Sequence, residues 1–145
     1  MEPYITFTGI LLATCAAYVL GALWYSPLLF MNLWLKGKGV TVESLPKRSK
    51  LYMTTIMSYA FIAHACIATV LAVVLEVTQP ETMKVALSLS ALLAVGFMVS
   101  ARFIDMVYTV EGKHYDLKNQ TNFVITSLYY VAIVLLMAAV LFWVR

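Results

Sequence analysis

The chain has 145 residues, 63% hydrophobic and 12% charged, with a net charge of +3. A soluble domain carries roughly a quarter charged residues, so a water-soluble core of this length cannot hide so much apolar surface, and lipid is the expected solvent. The Lys and Arg side chains flank apolar runs instead of forming a basic patch, which argues against nucleic acid as a partner and for the lipid bilayer.

Four charge-free runs follow one another, at 3–35, 51–75, 85–101 and 119–144. About 20 apolar residues cross a bilayer as helix, so the expected fold is all-α: an integral membrane four-helix transmembrane bundle forming one domain over residues 1–145. The helices are expected at about 4–23, 51–77, 79–108 and 119–144. The first run is too long for one crossing. Trp24, Tyr25, Ser26 and Pro27 interrupt it, and proline removes a helical hydrogen bond and clashes with the preceding turn. A short interfacial segment at about 28–35 should follow, its level marked by Trp24, Tyr25 and Trp34. Glu2, not a basic leader, precedes the first run, so the segment reads as retained and not as a cleaved signal. Thr78-Gln79-Pro80-Glu81 resembles a capping box that opens the third long helix. Glu111 to Lys118 reads as a short charged loop turning at Gly112.

Eight of the ten basic residues lie between the first and second long helices or between the third and fourth: Lys36, Lys38, Lys47, Arg48, Lys50, Arg102, Lys113 and Lys118. By the positive-inside rule that side is cytoplasmic and both termini face away from it, in the plasma membrane or in the inner membrane of a bacterium.

Small residues recur at every fourth position: Gly9, Ala13, Ala17 and Gly21 in the first helix, Ala60, Ala68 and Ala72 in the second with His64 in the gap, and Ala86, Ser90 and Ala94 in the third. This spacing keeps them on one face, where small side chains let backbones approach closely in lipid. His64 lies near mid-membrane and marks a candidate polar site with Thr14, Tyr18 and Tyr59 as neighbours. One reading is a proton relay or polar path; the other is a neutral imidazole hydrogen-bonded to an adjacent helix, for example to Thr14 or a tyrosine. Arg102 and Asp105, three apart, share a face as a charged gate, an anion site or a mutually neutralising interfacial pair. Cys15 and Cys66 lie within apolar runs and behave as small hydrophobes. No metal, cofactor or enzymatic activity is expected, since no catalytic triad, HExxH or phosphate loop occurs.

The stretch Gly21-Ala22-Leu23-Trp24-Tyr25-Ser26-Pro27-Leu28-Leu29-Phe30, then Trp34 and Gly39-Val40-Thr41, resembles the signature of the small membrane proteins grouped as domain of unknown function 1761. Ala94-Val95-Gly96-Phe97, Glu111 and Tyr129 are similar as well. The resemblance implies four helices and membrane residence and no particular activity. The chain departs from the family pattern at Arg102, Asp105 and Tyr130, the last standing where the pattern has histidine. Two functions are open: a non-enzymatic bundle acting by association, as a homo-oligomer or with other membrane subunits, and a small oligomeric channel or transporter with a polar path near His64.

Overall fold

The computed structural model describes residues 3–108 and 117–145, all-helical apart from turns and termini. Glu2 and the charged loop residues Glu111, Gly112 and Lys113 lie outside the described residues. Among the described residues five helices follow in order: α1 (Phe7–Trp24), α2 (Met31–Gly37), α3 (Lys50–Thr78), α4 (Met83–Val107) and α5 (Leu117–Val144). All but α2 are long and apolar enough to span a bilayer. Large apolar side chains such as Phe7, Leu92 and Trp143 point outward on several helices, an arrangement costly in water but neutral in hydrocarbon.

The helix ends are set by local hydrogen bonds. Thr6 caps α1 by accepting from the Gly9 amide at 3.0 Å, so the helix begins at Phe7 and not near Tyr4. Ser49 caps α3 through the Tyr52 amide at 3.2 Å. The expected box at Thr78–Glu81 does not form. Thr78 is the last residue of α3 and donates its hydroxyl to Val74 O at 2.7 Å, while Thr82 caps α4 through the Val85 amide at 3.3 Å. α4 therefore begins at Met83 and not at 79. Between the two helices Gln79 adopts a left-handed φ of 43°, and its side-chain amide donates to Glu76 O at 2.7 Å, satisfying a carbonyl at the helix end.

α1 ends at Trp24, as the Trp-Tyr-Ser-Pro stretch requires. Pro27 has no N–H to extend the ladder; Ser26 Oγ donates to Leu23 O at 2.7 Å, and the Phe30 amide reaches back to Trp24 O at 3.0 Å. α2 follows and closes at Gly39, whose φ of +70° allows the Val40 amide to bond Leu35 O at 3.1 Å.

α5 is the hub. Of its apolar span 44% is buried, against 11–28% for the other three long helices. α1 packs along it, α3 on α1 and α5, α4 on α5, and α2 against its α4-proximal, basic end. Ile133, Met137, Ala138 and Leu141 are sealed within. Ala13, Ala17, Ala68, Ala72, Ala86, Ser90 and Ala94 are buried as completely, Gly9 is buried too, and Ala60 and Gly21 are partly so. Within α4, Ala94–Val99 winds as a π-helix, and Ser100 Oγ donates to Val95 O five residues back at 3.1 Å.

At the end carrying the termini, Tyr4 joins three parts of the chain. Its amide donates to Glu76 Oε2 at 2.6 Å, its ring is covered by the Arg145 guanidinium, and Arg145 also donates to its hydroxyl.

Enlarging the α1 face should separate helices. Ala13→Leu or Ala17→Leu should lower stability by about 1–3 kcal/mol, the usual cost of overpacking, whereas Leu12→Ala, on a half-exposed position, should change it little. Unfolding in mixed micelles followed by circular dichroism measures the difference, and equal tolerance at all three positions would remove the packing argument.

Candidate functional site

α3 and α5 run side by side, and counting from their basic ends puts His64 and Tyr129 at similar depths, about 21 Å and 18 Å at 1.5 Å per residue. The two side chains meet. His64 Nε2 lies 2.7 Å from the Tyr129 hydroxyl, and Nδ1 lies 2.6 Å from the Ala60 carbonyl one turn earlier. A carbonyl only accepts, so Nδ1 carries a proton; in the neutral ring Nε2 then accepts from Tyr129 O–H. Both ring nitrogens are occupied, and His64 is only 9% exposed.

The contact depends on α1. A Cβ on Gly21 would stand 2.7 Å from the Tyr129 hydroxyl. Only glycine lets that hydroxyl pass between α1 and α5 to reach α3. Tyr18 presents its ring edge to His64, centroids 6.2 Å apart, and packs against Phe61 at 5.5 Å.

Around Tyr129 the segment after α1 folds into an aromatic wall. Tyr25 lies 5.2 Å from the Tyr129 ring, Tyr130 5.7 Å and Trp24 6.0 Å. Trp24 is backed by Phe30 at 4.6 Å and Tyr25 by Trp34 at 5.5 Å. The interrupted stretch thus supplies two of the rings that hold the His64–Tyr129 pair, as well as ending a helix. The Tyr25 hydroxyl lies near Thr126 and within electrostatic reach of Tyr130 and Arg102, so a polar layer continues from the pair toward the basic end.

The other expected members stand apart. Thr14 is buried, but its hydroxyl donates to Ile10 O at 2.7 Å within its own helix. Tyr59 is 68% exposed and faces away. Arg102 and Asp105 do pair, Nη1 to Oδ2 at 2.5 Å, at the basic end of α4, but Arg102 Nε is buried with no partner among the described residues. The residue missed as His64's partner is Tyr129. Depth matching between the second and fourth apolar runs was the available signal.

Among the described residues no carboxylate is hydrogen-bonded to His64 or Tyr129, and no three His, Cys, Asp or Glu side chains converge. The arrangement holds three helices together with one shared polar contact. A family model described as protein of unknown function (DUF1761) matches residues 8–142. No curated protein and no solved structure matches the chain.

The close approach should matter more than the hydrogen bond. Interhelical hydrogen bonds in lipid average about 0.6 kcal/mol and reach about 1.7, so Tyr129→Phe should cost no more than that. Gly21→Ala should cost about 1–3 kcal/mol, because it displaces the whole Tyr129 ring. Unfolding of both variants in mixed micelles gives the order; a larger loss for Tyr129→Phe would show that the bond matters more than the close approach.

Proposed function

Since the chain belongs to the DUF1761 family, whose description assigns no activity, we propose from its geometry that it acts through association within the membrane, by self-assembly along the uncovered part of α3. The observation that carries this reading is the state of Leu51 to Tyr59: all nine residues are exposed, with no helix among the described residues covering them. α3 has 29 residues and is therefore about 43 Å long, whereas the hydrocarbon core is about 30 Å thick. Its extra length is apolar, with Leu51, Met53, Ile56 and Met57 turned outward among Thr54, Ser58 and Tyr59. An apolar helix end that runs past the thickness of the hydrocarbon core is the pattern of an interaction surface. Met53, Thr54, Met57 and Ser58 line a shallow depression on this face with Tyr18 and Phe61.

In this reading the basic side is cytoplasmic and both termini lie across the membrane, following the charge split. The occupied ring of His64 supports packing over a proton path.

Photobleaching of single molecules in dilute bilayers should give more than one step per particle. Ser58→Cys, in a background without Cys15 and Cys66, should cross-link between copies. Met57→Lys should shift the population toward single copies by about tenfold, equivalent to about 1.4 kcal/mol. Single copies at every protein-to-lipid ratio would overturn the proposal. A pH-dependent proton flux in liposomes that disappears in His64→Gln would replace it with the channel or transporter reading, since an amide does not titrate near neutral pH.

A further inference from the structure

α3 and α4 are consecutive along the chain yet make little direct contact. A groove of about 450 Å³ separates them, walled by Cys66 and Val70 on one side, by Leu93, Phe97 and Met98 on the other, and floored by Val134 of α5. Every side chain lining it is apolar. The π-helical turn of α4 supplies part of its wall. From Cys66 to Val74 the groove runs along α3 for about 12 Å. Two turns of a helix, about 10–12 Å across, fill on the order of 1,000 Å³. The groove is too small for a helix of a second copy and lies within the range of about 300–1,000 Å³ typical of small-ligand sites.

Polar groups gather at one end. Arg102 lies one turn beyond Met98, and Tyr130 one turn before Val134, both toward the basic side. Arg102 spends Nη1 on Asp105, while its Nε is buried and unpartnered among the described residues. Tyr25 lies within electrostatic reach of both Tyr130 and Arg102. Ser127, one turn further along the face of α5 that carries Tyr130 and Val134, is 7% exposed and its Oγ has no partner among the described residues. A guanidinium has five donors in a planar fork suited to phosphate, and Arg102 sits near the end of a spanning helix, at the level of headgroups.

We propose that this groove binds a hydrocarbon chain of an anionic phospholipid whose phosphate is held by Arg102. The chain fills the apolar cleft between α3 and α4, and the Arg102 guanidinium, with the Tyr25 hydroxyl within electrostatic reach, takes the headgroup. The site lies within one copy and does not depend on self-association.

The two native cysteines provide the test, since both are exposed but only Cys66 lines the groove. Delipidated protein in detergent is treated with a lipophilic maleimide, with and without phosphatidylglycerol, phosphatidylcholine or glycerol phosphate. Phosphatidylglycerol should slow modification of Cys66 relative to Cys15 by about tenfold when present at about ten times its Kd. Phosphatidylcholine should protect less, and glycerol phosphate, which has no chains, should not protect. Arg102→Gln should erase the difference between the two lipids. Val70→Trp, at a position 64% exposed and outside the core, should abolish protection by filling the cleft. Equal slowing of both cysteines by lipid would overturn the proposal. So would a preference for phosphatidylglycerol that survives Arg102→Gln, or protection of Cys66 that rises with protein concentration in the absence of lipid.

Discussion

The hydroxyl of Tyr129 reaches His64 because Gly21 leaves its path open. In hydrocarbon there is no water to satisfy a stray imidazole or phenol, so each takes its partner from within the protein. Once histidine stands in the middle of α3, some other helix must bring a partner to the same depth. Tyr129 is that partner, and a bulky ring on α5 then demands a gap in α1. Three helices are fixed in register by this contact, and the aromatic wall of Trp24, Tyr25 and Trp34 assembles around it.

The same constraint explains why α5, the last helix, is the hub. Its inward side chains are large where those of its neighbours are small: Ile133, Met137 and Leu141 are enclosed by helices whose facing positions are Ala13, Ala17, Ala72 and Ala86. Lipid tails are as apolar as leucine, so burial alone does little to draw helices together in a bilayer; close van der Waals contact does. Small residues on α1, α3 and α4 provide the approach and α5 provides the contact.

Where that fit is absent, the molecule is open. The first turns of α3 are exposed, and α3 and α4 leave a cleft between them. Both openings lie on helices otherwise packed through their small-residue faces, and they differ in what they can admit. The end of α3 is broad and carries hydroxyls suited to another helix, whereas the cleft is narrow, wholly apolar and ends near a guanidinium.

The number of spanning helices, the break after Trp24 and the small-residue faces are legible in the chain because each follows from local chemistry. Hydropathy over about 20 residues, proline's missing N–H and a four-residue spacing need no knowledge of neighbours. The starts of α1 and α4 were less legible, since Thr6 and Thr82 compete with nearby residues of equal capping ability and the bond made decides the end. The π-helical turn at Ala94–Val99, the central place of α5 and the pairing of His64 with Tyr129 were settled only by tertiary structure. A single sequence gives the depth of each polar group but not the rotation of its helix, and among tyrosines at similar depth only the packed arrangement selects the one that faces histidine. Thr14, buried yet satisfied by its own helix, and Tyr59, turned outward, are the cases where rotation decided against a contact that depth allowed.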